Sequence, residues 1–549
     1  MGTVFSTTET PTSCNVPASA QILVVGGGPA GSYAAAVLAR EGFDVVLLEA
    51  AKFPRYHIGE SLLPSVRPFL KFVGAEEDVK SYGFTKKPGG AAKLNQHKRE
   101  GYTDFIALDP DSGSWHVIRS EFDALMLKHA EKCGARVIQE TRVVDIHFSP
   151  TDPSRPVAAS YASKPKAEDA TLTDLDEVDK CSHQGKIRFD YLIDASGRNG
   201  IMSTRYLKNR RFNQSLKNIA VWGYWTGVNK YEPGTSREGA IWIEALTDES
   251  GWVWYIPLHD GSTSVGIVLD EASYSHKRQT SGLSLQDFYI SQLKTLTPGT
   301  LGLIGKGELR GDGRPDAVRS ASDYSYSAPT YSGNHFRIAG DAGAFIDPFF
   351  SSGVHLAFTG GLSAAVSIAA SIRSHASEED AGKWHDAKYS TSYTRFLLVV
   401  LGVYKQIQNQ NAPVMSDVGE DNFDKAFESL RPVIQGTADV GKVVTEDELQ
   451  KTMELVMHIF GPTNPDMQRS VFSRIDPNLL AHDAPVLTKR DLDAILDPDD
   501  EDAQIVLANI NAWKPLRPLL QPSQNFISEQ HLGRVAVLQM GKLGLANVQ

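Results

Sequence analysis

Apolar residues first concentrate at positions 21–25, a short β-rich run that breaks at a cluster of glycines and gives way to an alanine-rich stretch through Arg40. The run is too short for a helix and the alanine stretch too long for a strand, so the order reads strand, turn, helix. A second β-rich run at 45–48 ends on Glu49, and residues 135–148 and 186–193 read as further strands, the last leading into Asp194. From 221 to 269, aromatic and β-branched residues alternate with polar ones, which predicts a half-buried antiparallel sheet. After Asp341 the pattern turns helical, and residues 374–549 alternate helical stretches with acidic loops such as 497–502. Residues 149–185 are rich in Ser, Pro, Asp, Glu and Lys, too polar to order themselves by burial, and predict a solvated, partly disordered insertion at a hairpin tip.

The glycine cluster is Gly26-Gly27-Gly28-Pro29-Ala30-Gly31. Between a strand and a helix this is the dinucleotide fingerprint: Gly26 permits the tight turn, Gly28 lets the backbone approach a pyrophosphate, and Gly31 lets helix and strand pack closely. Glu49, about 20 residues further on, is placed to accept hydrogen bonds from the adenosine ribose. Near 350, Ser352 and Gly353 would open a helix starting near Val354, and backbone N–H groups at that positive end can hold an anion.

Charge narrows the partners. The 549 residues carry 55 Lys and Arg against 66 Asp and Glu, a net charge of −11, which argues against a nucleic-acid surface and against attraction to anionic lipid. A small-molecule substrate fits better. Cys14, Cys133 and Cys181 lie far apart without ligand spacing, so neither a disulfide framework nor a metal site is expected, and a reducing, cytoplasmic setting follows. Residues 1–19 read as a flexible tail without a secretory signal, and the apolar stretch 396–404 falls short of the roughly 20 residues that cross a bilayer. A buried helix is expected there.

Further segments carry a resemblance. Phe53-Pro54-Arg55-Tyr56-His57-Ile58-Gly59-Glu60-Ser61, Arg119 with Phe122 and Asp123, Asp194 to Arg198, and Arg337-Ile338-Ala339-Gly340-Asp341-Ala342 resemble the flavoprotein class of aromatic hydroxylases and halogenases over residues 20–370. Three motifs point to the halogenases: Trp252-x-Trp254-x-Ile256-Pro257, Phe345-x-x-Pro348-x-x-Ser351-x-Gly353, and Phe84-Thr85-Lys86-Lys87-Pro88-Gly89. The chain is most similar to the fungal phenol and polyketide halogenases. That resemblance implies FAD, delivered reduced by a separate flavin reductase, with chloride as co-substrate. Gly26, Gly27, Gly28, Ala30, Gly31, Glu49, Arg55, Glu60, Arg119, Asp341 and Val354 would then approach the cofactor. Ser352 and Gly353 would hold chloride, and Trp252, Trp254, Ile256 and Pro257 would keep substrate and flavin apart. Lys87 would carry hypochlorous acid to a phenolic or polyketide substrate, as a hydrogen-bond donor or as a chloramine. Phe350 stands where tryptophan halogenases carry a glutamate, which argues against that substrate branch.

The implied fold is α/β: a Rossmann-type FAD-binding domain over 20–220, an antiparallel substrate-side sheet over 221–310, a return of the FAD-binding domain with the chloride site over 311–373, and a mostly helical C-terminal region over 374–549. The nearest rival is an FAD-dependent aromatic monooxygenase, which would share every FAD motif but not Lys87, the tryptophans or the anion segment. A non-catalytic flavoprotein in a biosynthetic assembly is the other reading. Arg205, Lys208, Arg210, Arg211 and Lys217 would serve it, or the enzyme, as a dock for an acidic acyl carrier protein, against the plainer reading of a solvated face.

Overall fold

The computed structural model describes residues 16–97, 100–106, 113–163, 183–311, 317–410, 465–480, 484–485, 487, 489–520 and 530–548. The expected tail through residue 15 and positions 164–182 of the expected insertion lie outside the described residues, as do Cys14 and Cys181.

Strand Ser19–Val25 is the centre of a parallel sheet, with Val45–Leu48 and then Arg136–Ile138 on one side, and His183–Asp194 and then Phe336–Ile338 on the other. Helix Pro29–Arg40 follows the glycines directly, with Pro29 at its first turn, where a missing N–H costs nothing. Gly26 has φ +104°, and a Cβ on Gly31 would sit 1.9 Å from the Gly26 carbonyl oxygen, so both positions need glycine. The C-terminal strand ends open onto a crevice, where doubly wound folds bind their ligands.

Part of the expected insertion is ordered. Pro156–Ser163 is a strand paired antiparallel with both Thr141–Phe148 and His183–Asp194, and it buries Ala159 and Tyr161 in the core. The polar composition of the whole stretch concealed a short segment with alternating inward positions.

The second sheet is antiparallel except where Gly89–Lys93 runs parallel to Ile241–Ala245, and it draws on segments far apart in sequence. Its order is Glu308–Leu309, Arg211–Thr226, Thr263–Asp270, Gly251–Pro257, Ile241–Ala245, Gly89–Lys93 and Gly101–Asp104, with Val318–Ser327 also paired to Arg211–Thr226. It therefore exceeds the expected 221–310. Nor is it half-buried: Trp252, Trp254 and Ile256 pack into one core, while Val253 and Tyr255 pack with Phe288, Tyr289 and Leu293 of helix Leu285–Leu296 into another. The alternate positions hold Val and Tyr instead of charges because a helical layer covers them.

Helix Gly353–Ile372 lies between the two layers of chemistry. It is long and apolar enough to cross a membrane, but 94% of that stretch is buried within the protein. It packs on Pro29–Arg40 through small residues, and a Cβ on Gly361 would come within 2.6 Å of the Ala30 carbonyl oxygen. Helix Glu378–Ile407 crosses it and buries Phe396, Leu397, Val400, Val403 and Tyr404 of the apolar stretch. Near the end of the described chain, strands Arg534–Val537 and Gly544–Asn547 form a hairpin that the helical expectation for 374–549 did not include. Ala536, Leu543 and Leu545 dock this hairpin on the core beneath helix Gly353–Ile372.

Candidate active site

The crevice continues as a cavity of about 620 Å³ that runs from the glycine turn to the face of the second sheet. Gly26, Gly28 and Ala30 line its first end with Glu49. A Cβ on Gly28 would meet nothing nearer than Arg55 Nη2 at 3.4 Å, so this glycine borders open space, unlike Gly26 and Gly31, which pack against backbone. Gly27 and Gly31 stand behind the wall. Glu49 accepts from the Gly27 N–H at 2.6 Å and the Ala51 N–H at 2.7 Å, which braces the glycine loop. Its carboxylate therefore has a structural task that the fingerprint alone did not suggest.

Around the middle of the cavity, Asp123 is fully buried between two cations. It pairs with Arg55 at 3.1 Å and with Arg119 at 2.9 Å and 3.1 Å. Arg119 also donates to the Ile58 carbonyl at 2.9 Å, so it holds the 53–61 loop against the cavity. That surplus of positive charge pushes His57 down to about 4, after burial, the larger cause. Asp341 and Val354 line the opposite wall. Burial raises the Asp341 carboxyl above its ordinary range.

The far end is aromatic. Trp252, Trp254 and Ile256 line it, with Trp222 and Phe349, whereas Pro257 does not reach it. Trp254 lies over Gly266 on the neighbouring strand, where a Cβ would come within 2.1 Å of its ring. Trp252 packs edge-on against Phe349 at 4.9 Å and donates its indole N–H to Tyr404 Oη at 2.8 Å. Tyr404 in turn donates to Asp347 Oδ2 at 2.6 Å, and Asn218 donates to both. This buried network fixes one tryptophan from three distant segments, and no motif announced Tyr404 or Asn218.

At the helix end, Ser351 adopts φ +56°, Ser352 is the N-cap and Gly353 is the first helical residue. Gly353 and Ser351 front the cavity, while Ser352 is buried behind them with its hydroxyl unpartnered among the described residues. The two adjacent lysines separate. Lys86 is exposed, whereas Lys87 is 2% exposed and donates to Ser61 Oγ at 2.8 Å and to the Leu62 carbonyl at 3.0 Å. Burial pulls Lys87 down to about 7. Lys87 is absent from the cavity wall itself. Ser61 lines the wall and stands between the cavity and the lysine.

Of the basic stretch, Arg205 donates to the Val144 carbonyl, and Arg210 lies over the Tyr326 ring at 4.0 Å while donating to the Arg198 carbonyl. Those two side chains serve the fold.

The cavity suits a flavin dinucleotide: an open glycine cradle at one end, arginines along its middle and an aromatic wall at the other. Comparisons with known proteins agree. The tryptophan halogenase family matches residues 21–108 and 92–463. Flavin-dependent halogenase armH4 of Armillaria mellea is 53% identical over 97% of this chain and 99% of its own length. The sulochrin halogenase gedL of Aspergillus terreus is 48% identical over 84% of this chain and 83% of its own length. Among solved structures, the flavin-dependent halogenase CmlS superposes with a TM-score of 0.67 at 25% identity, covering 96% of this chain and 85% of that one. By family match, by identity along nearly its whole length and by fold, the chain belongs to the flavin-dependent halogenases and is an enzyme that works with reduced FAD.

Proposed function

We propose that this enzyme chlorinates an electron-rich phenolic or polyketide natural product, and that Lys87 passes the halogen to it. The observation that carries this reading is a buried lysine, held by neutral oxygens, immediately behind a cavity whose far end is walled by tryptophan. Reduced FAD and oxygen supply the oxidising power that turns chloride into hypochlorous acid. Gly26, Gly28, Ala30, Arg55, Glu60, Arg119, Asp341 and Val354 would hold that cofactor. Its reduced form would come from a separate flavin reductase.

The Gly353 amide, with Ser352 behind it, would hold chloride at the positive end of helix Gly353–Ile372. Trp252 and Trp254 keep the substrate from the flavin, so the oxidant must travel. Ser61 marks its route to Lys87. With its proton affinity near neutrality, Lys87 presents both forms: the ammonium donates a hydrogen bond to the oxidant, and the free amine exchanges N–H for N–Cl with release of water. The aromatic carbon then takes chlorine and loses its proton. Phe350 offers no carboxylate to activate a weaker ring, which suits a phenol already activated by its own oxygen.

The test is incubation with a flavin reductase, FAD, NADH, chloride and a panel of resorcylic phenols, followed by mass spectrometry for the chlorine isotope pattern. Lys87→Ala is expected to lose product while it still binds FAD, consumes oxygen and releases peroxide or hypochlorous acid. Lys86→Ala is expected to behave as wild type. Full chlorination by Lys87→Ala would remove this lysine from the mechanism.

A further inference from the structure

Glu60 is 3% exposed on the cavity wall, and among the described residues one of its carboxylate oxygens, Oε2, meets no donor in hydrogen-bonding geometry, although the Ser264 hydroxyl stands beside the carboxylate. The other, Oε1, accepts from Tyr224 Oη at 2.6 Å. Tyr224 Oη lies 3.0 Å from Tyr56 Oη, and Tyr56 Oη accepts from the Trp222 indole N–H at 2.7 Å. Tyr56 is 43% exposed. The chain thus links a carboxylate oxygen on the cavity wall to a side chain that reaches solvent.

Its polarity is fixed by chemistry. The indole N–H can only donate, so Tyr56 receives it and keeps its own hydrogen for Tyr224. Tyr224 gives its hydrogen to the carboxylate and must accept from Tyr56. Every hydrogen points inward. Sheet geometry builds this arrangement: Trp222 and Tyr224 are two apart on strand Arg211–Thr226 and share its cavity face, while Tyr56 and Glu60 come from the loop that Arg119 holds down. Arg319, opposite Trp222 on the adjacent strand, lies 3.7 Å over the Tyr56 ring and fixes its plane.

We infer that Tyr56, Tyr224 and Glu60 form a relay that brings one proton per turnover from solvent into the cavity. The inference rests on the halogenase reading above, whose balance demands a proton: ArH, Cl⁻, H⁺, O₂ and FADH₂ give ArCl, FAD and two H₂O. Glu60 Oε2 releases its proton into the cavity as Oε1 takes the Tyr224 hydrogen. Tyr224 takes that of Tyr56, and Tyr56 is reprotonated by water. No charge is left behind.

The electrostatics suit a carrier. Burial pushes Glu60 up to about 7, against the lowering effect of the Tyr224 and Ser264 hydroxyls and Arg119, with Asp260 adding to the rise. Near neutral pH the carboxyl is thus poised between its two forms.

The first measurement uses the cofactor-free protein. Infrared difference spectra over a pH titration are expected to show a protonated-carboxyl band with its midpoint near 7, absent in Glu60→Gln and shifted to higher pH in Tyr224→Phe, which withdraws a donor from the carboxylate. A Glu60 midpoint in the ordinary carboxylate range overturns the relay, whether or not the enzyme halogenates. The second is turnover at saturating substrate and halide. Tyr224→Phe and Tyr56→Phe are each expected to lower kcat about 10-fold or more with KM and FAD affinity unchanged, and small buffer acids are expected to restore part of the rate. Wild-type kcat in both variants would overturn the relay. So would a loss without acid rescue that tracks weakened FAD binding, since that is the mark of a structural role. Loss of chlorination in Lys87→Ala bears on the proposed function alone.

Discussion

The two ends of the cavity are built by opposite means. At the glycine turn the shape comes from backbone: residues 26–31 and Glu49 lie close in sequence, and what matters is the absence of side chains. At the aromatic end it comes from large side chains delivered by Arg211–Thr226, Gly251–Pro257, 345–350 and Glu378–Ile407, cross-linked by hydrogen bonds. A backbone site fails all at once when an atom is added. A side-chain site is expected to degrade in steps, because each contact there is one of several.

Gly28→Val provides the largest test of that difference. A valine there projects into open cavity instead of into packed backbone, so the variant is expected to fold normally and to purify without flavin. A normal flavin complement, read from its absorbance, would show that the cradle is not at Gly28. Gly31→Val is expected to damage the fold itself, since its first side-chain carbon would fall 1.9 Å from the Gly26 carbonyl oxygen.

The helix end tests the boundary between the two kinds of site. Gly353→Pro deletes one amide, and it is expected to raise the halide requirement about 10- to 100-fold; because the αR backbone of Ser352 disfavours a following proline, the variant counts only with circular dichroism and FAD affinity at wild-type values. Gly353→Ala keeps the amide and meets nothing within 4 Å, so it is expected to match wild type. Equal halide dependence in the two variants would move the halide elsewhere.

Lys87 brings pH into the comparison. Its folded proton affinity, about 7, lies below the ordinary 10.5, so the folded state binds fewer protons between those values and stability rises with pH across that window. Lys87→Met is therefore expected to raise stability by about 2 to 4 kcal/mol at pH 7, with the gain shrinking toward pH 10, as read by denaturant melts. A pH-independent gain would mean that folding leaves the lysine's proton affinity at its ordinary value. Trp252→Phe has the smallest expected effect, about 1 kcal/mol, from the hydrogen bond it withdraws from Tyr404.

How far the sequence could be read follows the same division. The glycine turn, its flanking strands and helix Pro29–Arg40 were legible because their physics is local: a β-rich run, a turn that only glycine permits and an alanine-rich helix. The strand of tryptophans was legible as a motif, but its far face was not, because whether Val253 and Tyr255 meet water depends on helix Leu285–Leu296 arriving from elsewhere. Strand Pro156–Ser163 was hidden by the polar residues around it. Tyr224, Tyr404 and Asn218 left no signal in sequence, since each acquires meaning only through partners far along the chain, most of them more than a hundred residues away. Lys87 was picked out by resemblance, while its separation from the cavity by Ser61 needed coordinates.

Strand Gly251–Pro257 divides two cores, one facing the cavity and one facing the helical layer. Such a strand has no spare side. A change at Trp252 or Trp254 alters the cavity, and a change at Val253 or Tyr255 shifts the same backbone from behind, so this wall of the cavity behaves as one mechanical part. Changes in cavity shape are then tolerated best where the packing is one-sided, in the loops around it, while this doubly packed strand stays as it is.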